Sequence, residues 1–230
     1  IGLDGQVYAF YQDGGYFRTE RWNGSNWTTA STSPSYYHGE LDDTYPDFIV
    51  DSQGDTHVAY SRDSAYDTLS YYAEYDYDTH GGWYSREVGT MSTSANQHEA
   101  TSIVEADDSE PIVIAADDSS LLLDKVPEDD TVAPESISVT GSSPARPEAA
   151  HHNGYAHIVY RNNSAGEIRY IRFDTATDAA EVDERVATNA NGEQYAIAVD
   201  SAGTVHVVYH DQVAQELRYA RREFGGSWPE

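Results

Sequence analysis

The chain has 230 residues and a formal net charge of −27, because 40 Asp and Glu face 13 Lys and Arg. Such a polyanion repels phosphate groups, so we expect no nucleic-acid partner and no attraction to anionic lipid headgroups. No stretch approaches 18 consecutive apolar residues, so no membrane insertion is expected. With 39% hydrophobic and 12% aromatic residues, the composition predicts a packed core rather than a disordered acidic chain.

The cations are almost all arginine, since Lys125 is the single lysine. Carboxylates with so little lysine keep a surface soluble in concentrated salt, where screening removes ordinary charge repulsion. We therefore expect a protein adapted to a saline habitat, secreted or exposed at the cell surface; an ordinary acidic secreted protein is the alternative. Cysteine is absent, which excludes disulfides, thiolate metal ligands and a cysteine nucleophile within this sequence.

Along the chain, one strand–turn–strand pattern recurs five times. It begins near Gly5, reads D-S-x-G-x-x-H-V-x-Y at 51–60 and again at 200–209, is shortened to G-x-x-H-x-x-Y at 154–160, and is weakest at 105–117. Its last positions, taken as anchors, are Tyr11, Tyr60, Ile114, Tyr160 and Tyr209, separated by 49, 54, 46 and 49 residues. A period of this length with strand-like content is typical of a β-propeller with one four-stranded blade per repeat.

The patterns inside each repeat agree with this prediction. A short apolar strand such as 196–199 precedes a glycine-containing turn, for which Asn153-Gly154 is the strongest two-residue hairpin signal. A second strand such as 205–209, a polar loop, a third strand such as 217–222 and, in places, a fourth strand such as 83–88 follow. No segment keeps a 3.6-residue period long enough for a long helix.

The sequence thus predicts an all-β fold: one five-bladed β-propeller domain over residues 1–230, with about 46–50 residues per blade. Only 10 residues precede Tyr11 and 21 follow Tyr209, so 31 remain to close a ring whose period is near 49. The alternative is therefore that the chain forms part of a larger propeller of six to eight blades.

Two family resemblances follow from these motifs. The repeats at 51–73 and 200–220 resemble the Asp-box and sialidase-like propeller repeats, although His57 and His206 stand where the Asp box ends in Trp. The segment 7–27 is similar to a blade of the fungal fucose-binding lectins. That likeness implies a sugar site in which an Arg and a Glu bind hydroxyl groups and an aromatic ring stacks on the sugar, here at Arg18, Glu20, Trp22 and Trp27.

A second group of candidates is catalytic. Asp47, Glu99 and Glu148 precede the innermost strands of three blades, where loops face the central mouth, and inverting five-bladed glycosidases place three carboxylates in such positions. The three do not align when the repeats are registered on the anchors. His151 is a further candidate, as a general base, although a solvated turn at 151–154 is the favoured explanation.

The remaining recurrent residues have structural explanations. His57, His157 and His206 sit in three different blades, too far apart for one metal ion, so blade packing is expected. A polar residue follows each anchor and is expected to form an Asx-turn; a ring of such carboxylates binding Ca²⁺ is the alternative. No other cofactor is indicated. The polar residues that follow the anchors are Asp13, Asp63, Asp117, Asn162 and Asp211.

Three functions remain open. The first is a secreted or surface lectin-like propeller that binds a glycan or polysaccharide, neutral or cationic because of the acidic surface. The second is an enzyme acting on polysaccharide, either a hydrolase using carboxylates or a lyase using His or Tyr as base. The third is a structural module that binds a protein partner in a larger assembly, since propellers often present surfaces rather than chemistry.

Overall fold

The computed structural model describes residues 5–13, 16–32, 46–51, 55–63, 67–76, 82–92, 101–105, 111–117, 119–125, 135–139, 144–188 and 194–228. Across these ranges the chain is all-β, with 18 strands in five antiparallel sheets, here called blades 1 to 5 in chain order. In the same ranges no helix has the length and apolar character needed to cross a membrane.

The strands of each blade follow one another in sequence. Blade 1 holds β1 (Val7–Asp13), β2 (Tyr16–Trp22) and β3 (Trp27–Thr32); blade 2 holds β4 (Asp47–Val50), β5 (Thr56–Asp63), β6 (Asp67–Asp76) and β7 (Gly82–Ser92); blade 3 holds β8 (Thr101–Glu105), β9 (Pro111–Ala116), β10 (Ser120–Lys125) and β11 (Glu135–Ser138); blade 4 holds β12 (Pro144–His152), β13 (Tyr155–Asn162), β14 (Glu167–Asp174) and β15 (Ala179–Thr188); and blade 5 holds β16 (Tyr195–Val199), β17 (Val205–Asp211) and β18 (Glu216–Arg222).

Each blade is a meander of antiparallel hairpins. In blade 4 the turn between β12 and β13 is Asn153-Gly154, and both residues have positive φ, 50° and 78°. Two consecutive positive φ values define the type I′ turn, whose twist matches that of the flanking strands. The hairpin predicted from this dipeptide is therefore confirmed.

The four tyrosine anchors occupy equivalent positions in their hairpins. Tyr11 pairs with Arg18, Tyr160 with Arg169 and Tyr209 with Arg218, and Tyr60 holds the corresponding place opposite Tyr71. In blades 4 and 5 the tyrosine side of the strand faces the preceding blade: Tyr160 packs with residues of blade 3, and Tyr209 with residues of blade 4. We call this side of a blade its leading face and the opposite side its trailing face.

The fifth anchor, Ile114, needs correction. It packs with Ile158 and Tyr160 of the following blade, whereas its neighbours Val113 and Ala115 pack with Ala59 of the preceding blade. Because successive side chains of a strand point to opposite faces, a shift of one residue exchanges the two faces. The leading-face position of this repeat therefore belongs to Val113 or Ala115, not to Ile114.

The core lies between the blades. The largest cluster joins blades 3 and 4 and the next joins blades 4 and 5, while blade 1 meets blade 2 through Phe10 and Phe48, whose rings stack at 4.8 Å. Blades 3 and 4 are also linked by Lys125, whose ammonium group donates to the Thr175 carbonyl and pairs with the Asp178 carboxylate. The inner strands of neighbouring blades lie side by side, so their first residues share one end of the molecule.

Candidate functional site

Asp47 and Glu148 hold the same position in two inner strands. Asp47 pairs with Ala59 and Glu148 with Val159, and each partner directly precedes an anchor tyrosine. When the repeats are compared by strand pairing, the two carboxylates therefore align. They did not align by sequence, because the number of residues between carboxylate and anchor differs by one between the two blades. The inner strand of blade 3 places Ser102 opposite Ile114, and that of blade 5 places Ala196 opposite Val208.

The Asp47 carboxylate is held between blades 2 and 3. Its Oδ2 accepts hydrogen bonds from the Ser102 hydroxyl at 2.9 Å and the Ile103 backbone N–H at 3.0 Å, and its Oδ1 accepts from the Phe48 N–H at 2.9 Å. Burial raises the pKa of this carboxyl group, and the three hydrogen bonds oppose that rise. The side chain is thus a part-buried acid that also ties two inner strands together.

Glu148, in contrast, is exposed to solvent. It follows a bulge in β12, where the pairing shifts between Ala145 and Glu148 and where Arg146 has a φ of 52°. The Tyr195 hydroxyl, from the inner strand of blade 5, donates to the carbonyl oxygens of Ala145, at 3.1 Å, and Arg146. Blade 5 therefore fixes the bulge that precedes Glu148.

Tyr195 and Glu148 also interact electrostatically. Burial raises the pKa of the Tyr195 phenol strongly, and the negative charge of Glu148 raises it further. The phenol consequently stays protonated and acts as a donor. The role of Tyr195 beside Glu148 could not be predicted from the sequence, because Tyr195 lies 47 residues from Glu148 and outside every repeat motif.

Two catalytic candidates remain, Glu99 and His151. Glu99 lies outside the described residues. His151 lies three residues beyond Glu148 on the same strand, paired with Ala156 near the far end of β12. An odd spacing puts the two side chains on opposite faces of the sheet, about 10 Å apart along the strand.

The four lectin-type candidates share the leading face of blade 1. Arg18 pairs with Tyr11 and Trp22 pairs with both Val7 and Trp27, so their side chains lie on one side of the sheet. The Tyr11 hydroxyl donates to Glu20 Oε1 at 3.0 Å, and the rings of Trp22 and Trp27 lie 5.5 Å apart. The corresponding face of blade 4, with Tyr160 and Arg169, is buried.

The repeated histidines belong to a network within each blade. His206 Nε2 lies 3.2 Å from Asp200 Oδ2, and its Nδ1 lies 2.7 Å from the Tyr219 hydroxyl on the next strand. A carboxylate accepts hydrogen bonds, so Nε2 carries the proton and Nδ1 accepts from the phenol. His157 makes the same 2.7 Å contact with the Tyr170 hydroxyl. This network explains the D-S-x-G-x-x-H motif as a structural element.

The polar residues after the anchors form turns where the structure describes their contacts. Asp211 Oδ1 accepts from the backbone N–H groups of Val213 and Ala214 at 3.0 Å each, and Asn162 Oδ1 accepts from the Ser164 hydroxyl at 2.7 Å. The bonds of Asp211 are those of an Asx-turn, whereas Asn162 bonds to the side chain of Ser164. Among the described residues, no group of three His, Asp or Glu side chains is arranged to hold a metal ion.

No protein-family model and no curated protein matches the sequence. Solved structures do match: a GH43_1 enzyme from Xanthomonas citri is 12% identical, with 100% of this chain and 88% of that chain covered and a TM-score of 0.57. The complex of the same enzyme with xylotriose is 10% identical, with 100% and 87% covered and a TM-score of 0.57. A thermostable family-43 glycoside hydrolase is 14% identical, with 96% and 87% covered and a TM-score of 0.55.

The chain is a five-bladed β-propeller. The five sheets and their neighbours among the solved structures confirm the predicted fold class. At these identities the likeness concerns the fold alone, and it supports the propeller without bearing out the Asp-box or fucose-lectin resemblance. The propeller places Asp47 and Glu148 in inner strands.

Proposed function

We propose that this propeller binds a glycan at the end formed by the starts of the inner strands and hydrolyses a glycosidic bond there. The observation that carries the proposal is the contrast between Asp47 and Glu148, which occupy one position in two inner strands but differ in burial. Two carboxyl groups in different environments are what acid–base hydrolysis of a glycoside requires.

The two roles follow from the environments. Asp47 is the acid, because its burial favours the protonated form. Glu148 is the base that activates water, because its exposed carboxylate reaches solvent. Tyr195 is a positioning residue that holds the bulge before Glu148. The substrate is a neutral or cationic glycan, because a chain of net charge −27 repels polyanions, and we place the protein outside the cell, where polysaccharides occur.

The neighbours add support of a different kind. The similar structures include a GH43_1 enzyme, also in complex with xylotriose, and a family-43 glycoside hydrolase. Xylan is therefore the first polysaccharide to test, followed by other neutral polysaccharides.

The test is the release of reducing ends by the wild-type protein and by Glu148→Gln. We expect the substitution to lower the rate by about 10²–10⁴-fold, the usual contribution of a general base, with an unchanged melting temperature because the side chain is exposed. Glu223→Gln, at an exposed glutamate beyond β18, is the control and should keep full activity. A wild-type protein without activity on any neutral glycan, or an active Glu148→Gln variant, would refute the proposal.

A second candidate function is glycan binding at blade 1, without hydrolysis. It is favoured by the exposed indole of Trp27 on the same face of blade 1 as Arg18 and Glu20, because an indole stacks on the apolar face of a sugar while the charged groups bind hydroxyls. Arg18→Ala and Trp22→Ala should then abolish binding on a glycan array and leave the fold intact. Binding that survives both changes would remove this site.

A further inference from the structure

Three Asn-Gly dipeptides occur in the sequence, at 23–24, 153–154 and 191–192. In such a dipeptide the backbone nitrogen of the glycine can attack the side-chain amide carbon of the asparagine, because glycine has no Cβ to hinder the approach. The attack forms a cyclic imide, and the amide nitrogen leaves as ammonia. The first two dipeptides lie within the described residues, and they differ in how firmly the asparagine side chain is held.

The side chain of Asn23 is held by three hydrogen bonds. Its Oδ1 accepts from the backbone N–H groups of Ser25 and Asn26 at 3.0 Å each, and its Nδ2 donates to Asn26 Oδ1 at 3.2 Å. The bond to Ser25 is that of an Asx-turn. Attack by the Gly24 nitrogen would convert the planar carboxamide into a tetrahedral centre and would therefore break these bonds.

The side chain of Asn153 is exposed and less restrained. Asn153 opens the type I′ turn between β12 and β13, and its Nδ2 donates to His152 Nε2 at 2.8 Å. Among the described residues this is the one hydrogen bond that its side chain makes. A methyl group added at Gly154 would meet no atom within 4 Å, so the space beside the glycine is open. The carboxamide can therefore move onto the Gly154 nitrogen, and water can reach the product.

The nitrogen that would leave from Asn153 lies against a group that can protonate it. A planar carboxamide nitrogen has no free lone pair, but the tetrahedral centre gives it one, and it then accepts a proton from the His152 imidazolium. Imidazole is the side chain best suited to deliver a proton near neutral pH. At Asn23 the corresponding nitrogen faces the amide oxygen of Asn26, which accepts hydrogen bonds and has no proton to give.

We propose that Asn153 is a site of spontaneous deamidation and that His152 is its catalytic residue. The Gly154 nitrogen bonds to Asn153 Cγ and releases its proton to solvent. The tetrahedral carbon then expels Nδ2, which takes a proton from His152 and leaves as ammonia, and His152 regains a proton from solvent. Water opens the cyclic imide at one of its two carbonyl carbons, which gives aspartate or isoaspartate.

The two products have different consequences for blade 4. Aspartate keeps the hairpin, because Asp-Gly also forms a type I′ turn. Isoaspartate inserts a methylene group into the main chain, so the connection no longer has the length that fixes the pairing of His152 with Tyr155. Because β12 also carries Glu148, the isoaspartate form loses stability in the strand that holds this carboxylate.

The experiment follows the wild-type protein near neutral pH, in buffer and in urea, by peptide mapping with mass spectrometry. In buffer Asn153 should react about 4- to 100-fold faster than Asn23, because two more hydrogen bonds must break at Asn23 and each is worth roughly 2- to 10-fold in rate. In urea, where neither turn persists, the two sites should react at similar rates. An Asn153 that reacts in urea but stays intact in buffer, or an Asn23 that reacts as fast in buffer, overturns the proposal.

Variants test the role of the imidazole and the effect on the hairpin. His152→Gln should slow the reaction of Asn153 in buffer by about tenfold or more, relative to its rate in urea, because it removes the proton donor. His210→Gln, at a half-buried histidine of β17, is the matched control and should keep the wild-type ratio. Asn153→Asp should melt like the wild type, whereas the fraction labelled by isoaspartyl methyltransferase should melt at a lower temperature. An unchanged ratio in His152→Gln would remove the catalytic role of His152.

Discussion

His157 and His206 occupy the same strand position in two blades but differ in their access to water. His157 is buried against Tyr170, whereas His206 is partly exposed beside Tyr219. Burial lowers the pKa of His157 from its ordinary value of 6.5 to about 4, and the positive charges of Arg172 and Arg222 and the nearby His151 and His152 act in the same direction. The folded protein therefore holds this imidazole in its neutral form.

The neutral form of His157 predicts that the free energy of unfolding decreases in acid. A histidine whose pKa is depressed by folding contributes stability that is complete above about pH 6.5 and is lost as the pH falls towards 4. The full loss is about 3 kcal/mol, from about 1.4 kcal/mol per pKa unit. Urea unfolding at pH 7 and at pH 4.5 measures it. His157→Gln should flatten the pH dependence. A variant that keeps the slope of the wild-type protein would contradict the assignment.

At the scale of elements, inner strands are joined by side chains as well as by packing. Asp47→Ala removes the acceptor that Ser102 and Ile103 share across the junction of blades 2 and 3. Two donors then lose their partner, so we expect a loss of about 1–3 kcal/mol in the free energy of unfolding. Glu148→Ala is the matched control, because it changes the equivalent position of blade 4 where the side chain is exposed. Equal destabilisation by both changes in chemical denaturation would argue against an inter-blade role for Asp47.

Elements with clear alternation could be predicted from the sequence. The tyrosine anchors and the Asn153-Gly154 hairpin were found because period-two patterns and turn residues are local signals. Ile114 was assigned to the wrong face because β9 is buried on both sides, so the run 111–116 has no alternation to fix its register.

The candidate site was harder to predict for two reasons. The alignment of Asp47 with Glu148 was hidden because the first hairpin of blade 4 is one residue shorter than that of blade 2, and only pairing reveals it. The contact of Tyr195 with the bulge depends on how two blades pack, which no local pattern encodes. The burial of the tyrosine face of blade 4 also depends on how two blades pack, and no local pattern in the sequence indicates it.

For the whole molecule, the net charge of −27 predicts a dependence on salt. Folding brings the carboxylates closer together than in the unfolded chain, and their repulsion opposes compaction at low ionic strength. We expect the melting temperature to rise as NaCl or KCl increases from about 0.1 M to molar concentration. Differential scanning calorimetry over this range of salt concentration measures it. A flat or falling melting temperature would count against adaptation to a saline habitat.

The contact of Lys125 with Thr175 and Asp178 makes the junction of blades 3 and 4 chemically addressable. Lys125 carries the only side-chain amine in the sequence, and that amine is engaged across the junction. An amine-reactive ester therefore has a single lysine target, whose acylation requires the ammonium group to leave both partners. The rate of labelling at this residue, followed by mass spectrometry, reports how often blades 3 and 4 separate, without any engineered probe.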